Sequence, residues 1–190
     1  SIDSAAARFY LRVLSDSQAI LPQQGIQALP NFLAQQVGVS HILLRSPVES
    51  VRPTEVVLRS GDVLSCQKVL VCTDALAAST LGGPEQTMPH LSSRTIYFSA
   101  QAAPYAESLV ALNGEGRGVI CNVAIPSNVQ PSYAPAGKAL IAATVVGAAA
   151  STEDSQSLSA VRDQLVEWFG HDAREWRHLR TFTIRASVPA

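Results

Sequence analysis

The chain has 190 residues, enough for one substantial core or for pieces of two. Hydrophobic residues make up 47% and charged ones 15%, against roughly 25% charged in an average soluble domain, so part of the surface is expected to be covered by something else. A net charge of -1 provides no field to attract nucleic acid or an anionic membrane, and both are set aside as partners.

Residues 5–14 place Phe9, Tyr10, Val13 and Leu14 on a helical face and predict a first helix that closes at S-D-S. Ile26, Leu29, Leu33 and Val37 trace a second helical stripe. Pro30 is tolerated there only in the first turn, which starts the helix near Gly25. From Val39 to Thr73 three apolar runs, separated by Pro53-Thr54 and by Ser60-Gly61-Asp62, read as consecutive strands, the third ending on Cys72-Thr73. Asp74 can then cap a short helix through Leu81, stopped by Gly82-Gly83-Pro84, and residues 85–91 read as a connector.

Beyond it, residues 95–98, 109–112, 119–123 and 139–146 are strand-like, with the glycines of 113–118 turning the second into the third. A long polar loop, 126–137, interrupts this mostly antiparallel sheet. Ser151 or Thr152, followed by Glu153 and Asp154, starts the clearest amphipathic helix, with Leu158, Val161, Leu165 and Trp168 at helical spacing up to Phe169-Gly170. One more strand covers about 179–185. The expected class is α+β: a mostly antiparallel or mixed sheet with flanking helices, plus a small antiparallel meander.

Side-chain chemistry is sparse. Gly114, Gly116 and Gly118 form G-x-G-x-G between two strands instead of the G-x-G-x-x-G that opens a helix, so a hairpin is the better reading. Residues 132–139 lack the first glycine and the final Ser or Thr of a phosphate-binding loop. His41, His90, His171 and His178 have no ligand spacing, and Cys66, Cys72 and Cys121 form no C-x-x-C pair, so no metal site or disulfide framework is expected. No G-x-S-x-G elbow occurs. Cys72 precedes a helix start that would activate a thiol, but a small apolar strand residue is the preferred reading. Either the chain binds without catalysing, or a cofactor held largely elsewhere does the chemistry.

The order of segments resembles the FAD-dependent amine oxidoreductases, the group of amine oxidases, protoporphyrinogen oxidase and phytoene desaturases. L-P-Q-Q-G-I-Q-A-L-P-N-F-L-A at 21–34 is similar to the P-x-x-G-M-x-x-L-P-x-x-L-A segment of that group. Ile42 to Val51 is similar to its I-x-L-x-x-x-V-x-x-V strand pair, Val57-Leu58 with Gly61-Asp62 to its V-x-L-x-x-G turn, and Val69 to Thr73 to its V-V-x-A-T strand. Residues 112–118 and 126–135 resemble segments of a bacterial and plastid branch of the same group.

The resemblance implies FAD as cofactor, with Val48, Cys72 and Thr73 approaching it and Val48 offering backbone groups to its adenine end. The group's glycine-rich start and C-terminal flavin motif are absent, which implies an excerpt of a longer chain whose partner is the remainder of its own FAD domain. On its own such an excerpt would hold FAD poorly. It also implies substrate-domain helices at 1–33, a meander and short helix returning to the FAD domain at 34–87, and a substrate-domain sheet and helix at 88–190. Arg94 stands where amine oxidases of the group carry a lysine, and Lys68 and Lys138 are the only lysines. That turns the expectation toward oxidation or desaturation of an apolar small molecule, with Tyr97, Asn113 and Asn122 as substrate-lining candidates and no catalytic side chain assigned. The alternative is a noncatalytic lipid- or protein-binding domain of the same fold. An intracellular, soluble setting, cytoplasm or plastid stroma, is expected from the cysteine usage and from the lack of any apolar run of membrane-spanning length.

Overall fold

A computed structural model describes residues 4–16, 20–83, 90–151 and 153–189. In chain order the elements are α1 (Ser4–Asp16), α2 (Ala28–Val37), β1 (Val48–Arg52), β2 (Glu55–Leu58), β3 (Val63–Ser65) and α3 (Ala75–Thr80). There follow β4 (His90–Ala100), β5 (Val110–Leu112), β6 (Ile120–Ala124), α4 (Pro126–Val129), β7 (Ala139–Val146), α5 (Asp154–Phe169) and β8 (Arg177–Pro189). The fold is α+β, with two antiparallel sheets: β1-β2-β3, and β5-β6-β7-β4-β8. None of the helices is long and apolar enough to cross a membrane, among the described residues.

The chain divides into two compact units, Ser1–Leu29 with Arg94–Phe182, and Pro30–Ser93 with Thr183–Ala190. In the first, the side chains of β4 alternate strictly, with Arg94, Ile96, Phe98 and Ala100 buried and the residues between them half-buried. Val123, Ile141, Ala143 and Val145 join Ile96 and Phe98 on one sheet face, and Val161 and Leu165 of α5 complete that core with no exposed surface. Burial of two such side chains stabilises the unit by about 1.5–3 kcal/mol each. Trp176 closes the end of this core against Phe98 and Phe169. Arg162 stacks over the Phe98 ring and donates to the carbonyls of Arg174 and Trp176, fixing α5 to the start of β8.

One further contact joins α5 to the sheet. The buried Gln164 accepts from the N–H groups of Val119 and Ile120 at 2.8 and 2.9 Å and donates to the Arg117 carbonyl at 3.1 Å. It therefore satisfies three backbone groups of the β5–β6 hairpin that the ladder leaves unmade. Gly118 makes room for it: its φ is +75°, and a Cβ there would run into the Gln164 carboxamide.

The second unit is built on the three-stranded meander. Pro53-Thr54 forms the two-residue turn between β1 and β2, closed by the Arg52↔Glu55 pair and the ion pair between those side chains. A four-residue loop, 59–62, joins β2 to β3, with Gly61 at φ +91° and the Leu58 N–H donating to the Asp62 carbonyl at 2.9 Å.

Several elements differ from the sequence reading. Residues 42–44 are not a strand, since a single-turn 3-10 helix at Val39–His41 and a turn with Arg45 at φ 56° precede β1. The third strand stops at Ser65, and 66–73 run without regular structure because β3 has no further partner in its sheet, leaving Leu70 86% exposed. Cys72 is accordingly an exposed residue of an irregular segment and not a strand residue. The 126–137 loop contains α4 and a 3-10 turn at Pro131–Tyr133, held by Ser132 and Tyr133, which donate to the carbonyls of Gln23 and Pro22. α2 begins at Ala28, with Pro30 in its first turn. Thr152 and residues 84–89 of the expected connector lie outside the described residues.

Gln164→Leu keeps the side-chain volume and leaves the Val119 and Ile120 N–H groups without their acceptor. A loss of about 2–4 kcal/mol in urea-unfolding stability is expected, and a change below about 0.5 kcal/mol would remove the clamp from the account of the fold.

Candidate functional site

Two places in the fold carry the residues singled out by sequence, one in each unit. Val48, Cys72 and Thr73 belong to the second unit, and Tyr97, Asn113 and Asn122 to the first.

The geometry at Val48 follows from the ladder. The Arg59 N–H donates to the Pro47 carbonyl at 2.9 Å, so Pro47 and Arg59 occupy a hydrogen-bonding position. Antiparallel pairs alternate bonded with non-bonded positions, and Val48 opposite Leu58 is therefore non-bonded. Leu58 agrees, because its N–H turns to the other side, toward Asp62. The Val48 N–H and C=O consequently point outward, and β1 is an edge strand of its sheet. A cleft of 550 Å³, lined by Val48, Glu49, Arg59, Thr80 and Leu81, lies beside them. That volume is within the usual range for small-molecule sites.

α3 forms one wall of this cleft, and local sequence explains its position. Asp74 caps it by accepting from the Ala77 N–H at 2.9 Å. At the other end the Gly83 N–H donates to the Ala78 carbonyl, and a Cβ on Gly83 would lie 2.7 Å from that oxygen. Thr80 and Leu81, the cleft residues, stand at this glycine-terminated end. Thr73 donates to the Asp74 carbonyl at 3.2 Å, and neither it nor Cys72 is among the cleft-lining residues. Sequence reasoning missed Glu49, Arg59, Thr80 and Leu81. The S-G-D turn after Arg59 and the double glycine after Leu81 were visible, but nothing local paired them.

In the first unit, Asn122 pairs with Leu112 on one side and Thr144 on the other, so the three share a sheet face. The Thr144 hydroxyl lies 3.4 Å from that of Thr95, extending the row onto β4. Tyr97, two residues on, shares the face and meets Phe182 edge-on at 5.9 Å. This is the face opposite the α5 core. Arg94 is buried and lies on the core side of β4, away from Tyr97. Asn113 is elsewhere: its Nδ2 donates to the Arg117 and Ile120 carbonyls at 2.7 and 2.8 Å, and its Oδ1 accepts from the N–H groups of Glu115 and Gly116. Its polar atoms organise the hairpin loop. No cluster of three or more His, Cys, Asp or Glu suited to a metal occurs among the described residues.

Comparison with known proteins adds the following. The family model described as flavin containing amine oxidoreductase matches residues 2–188. Among solved structures, the chain is similar to a protein assigned as a protoporphyrinogen oxidase from Exiguobacterium sp. 255-15, at 16% identity and a TM-score of 0.66, over 88% of this chain and 40% of that one. It is similar to cyclohexylamine oxidase from Brevibacterium oxydans IH-35A, at 17% identity and a TM-score of 0.63, over 84% of this chain and 38% of that one. It is also similar to reduced UDP-galactopyranose mutase, at 9% identity and a TM-score of 0.63, over 95% of this chain and 45% of that one. These likenesses describe the fold, and the chain spans less than half the length of each structure. No curated protein matches it.

Asp74→Ala removes the α3 cap and is expected to lower stability by about 1 kcal/mol, with faster amide exchange at Ala77. Asp74→Asn retains an acceptor and should stay close to the parent sequence. Equal stability of the two variants would show that the cap does not hold this wall of the cleft.

Proposed function

The chain belongs to the flavin containing amine oxidoreductase family, and from that premise we propose that it is the substrate-binding portion, with a returning piece of the cofactor portion, of an FAD-dependent oxidoreductase. The unit Pro30–Ser93 carries the cofactor contact and the unit containing Arg94–Phe182 carries the substrate contact. The observation that carries this reading is the outward N–H and C=O pair of Val48 beside its cleft.

A backbone donor and acceptor side by side match the acceptor and amino group on one edge of adenine, whatever side chain the residue bears. The residues present therefore fit the adenine end of FAD: Val48 reads the ring edge, and Leu81 supplies apolar contact. Cys72 and Thr73 remain proposed contacts of the same cofactor, at the end of the segment similar to the family's V-V-x-A-T strand. Flavin, when bound, supplies a hydride acceptor. The chain's own part is to bind, orient and exclude water, which hydride transfer needs more than it needs acid–base side chains. Tyr97 and Asn122, on a half-buried sheet face, are proposed to line the substrate site for an apolar small molecule. Asn113 supports that site by holding the adjoining hairpin. Desaturase-like or oxidase chemistry suits Arg94 standing in the place of the family's lysine.

That same Arg94 motivates a second reading, in which the fold is retained for binding without catalysis. Anaerobic reduction of the flavin by any member of a substrate panel would exclude it.

The full-length protein is expected to purify with oxidised-flavin absorbance or to take up added FAD; a correctly folded, colourless protein that takes up none would sink the proposal. Because the contact is through backbone, Val48→Ala should change FAD affinity little. Val48→Pro, which removes the outward N–H and breaks no bond to β2, should weaken it by about tenfold, with circular dichroism verifying the fold. Equal affinity of both variants would move the cofactor contact away from Val48.

A further inference from the structure

Where β4 ends, a cleft of 390 Å³ is lined by Ser99, Ala100, Gln101, Lys138, Glu175 and Arg177, all within the first unit. β4 lies between β7 and β8 in the five-stranded sheet. Lys138 immediately precedes β7 and Arg177 opens β8, so a cation reaches the cleft from each flanking strand. Local backbone fixes both positions. The Lys138 N–H donates to the Pro135 carbonyl at 3.0 Å, in a turn with Gly137 at φ +72°, and Ala139 after it is buried. Arg177 follows Trp176, whose ring is anchored in the core against Phe98 and Phe169.

Lys138 donates one of its three ammonium N–H bonds to Gln101 Oε1 at 2.5 Å, which holds the charge at the cleft and leaves two donors for a ligand. The ion pairs among the described residues are Arg12–Asp16, Arg52–Glu55 and Arg117–Glu115, so Glu175 neutralises neither Lys138 nor Arg177. The lining thus carries two cations and one carboxylate. Asp172 lines the adjoining cleft, which shares Gln101 and Glu175 with this one. Arg162 is committed to the Phe98 ring and to the carbonyls of Arg174 and Trp176.

We propose that this cleft binds the carboxylate of a small monoanionic ligand, with its oxygens on the Arg177 guanidinium and the Lys138 ammonium. A guanidinium presents parallel N–H groups at the spacing of two carboxylate oxygens. Glu175 decides how much negative charge the cleft accepts. The cost of taking an anion out of water rises with the square of its charge, whereas its attraction to a lining of net charge +1 rises only in proportion, so one charge is favoured over two. The volume accommodates a carboxylate with a ring-sized body. This site involves the first unit alone and does not depend on flavin.

The test titrates benzoate, benzamide, benzylamine and phenyl phosphate, alike in ring and different in charge, by calorimetry in low-salt, mildly alkaline buffer. The protein is the full-length chain with and without flavin. Benzoate is expected to bind about three- to tenfold tighter than benzamide or benzylamine, and phenyl phosphate no tighter than benzoate. Lys138→Gln combined with Arg177→Gln should remove the preference for benzoate over benzamide. Both side chains are exposed, so the fold should survive the change. Glu175→Gln should tighten benzoate by about two- to fivefold, and Arg174→Gln, a change of charge next to the cleft but outside its lining, should leave benzoate affinity as it was. No benzoate binding, equal binding of benzamide, tighter binding of phenyl phosphate, or a preference that survives the double variant would each overturn the proposal. So would weaker benzoate binding in Glu175→Gln, or a loss in Arg174→Gln equal to that in the double variant. A protein that takes up no flavin yet binds benzoate in this pattern would sink the functional reading above and leave this site standing.

Discussion

The packing of α5 on one face of the five-stranded sheet is the constraint from which the rest of the first unit follows. Val161 and Leu165 commit that face to Ile96, Phe98, Val123, Ile141 and Val145. A strand has only two faces, so Thr95, Tyr97, Asn122 and Thr144 are thereby assigned to the other. Gln164 adds a polar tie within the same contact, bonding to backbone that the hairpin cannot satisfy itself. The helix thus fixes both the rigidity of the sheet and which side chains remain available for a ligand.

In the second unit the equivalent constraint is in the backbone. Edge strands leave N–H and C=O groups outward, and proteins cover or use them. At Val51 the end of α3 approaches: a Cβ on Gly82 would lie 3.7 Å from the Val51 carbonyl oxygen. At Val48 the same edge borders the cleft. A contact made through backbone needs a strand edge, a bulge of the kind seen between Val48 and Ser50, and a neighbouring wall, but no particular side chain. The contact proposed at Val48 comes from family resemblance, because residue chemistry alone gives no reason to single out a valine.

The low charge of the chain has a structural counterpart. Phe9, Leu11, Phe32 and Leu70 are all more than half exposed. The apolar stripe predicted on α2 forms a helix, yet Leu29, Leu33 and Val37 remain exposed on it. The irregular 66–73 segment is of the same kind: its Val-Leu-Val composition favours a strand, but a strand exists only where another edge accepts its hydrogen bonds.

Local pattern by itself determined α1, α2, α3 and α5, the hairpin turns at Pro53-Thr54, Ser60-Gly61-Asp62 and residues 113–118, the Asp74 cap and the α+β class, because each depends on residues a few positions apart. Tertiary structure alone decided where 66–73 would lack a partner and where the irregularity between Ile120 and Asn122 would turn Ile120 into the core beside Val123. It also decided that Gln164 on a hydrophobic helix face would clamp a hairpin 44 or 45 residues away in the chain. Arg59 and Leu81, on one cleft, and Thr95 and Thr144, in one polar row, became neighbours only through folding. Periodicity tells which residues share a face of one element; which faces meet is a matter of pairing and packing between distant segments.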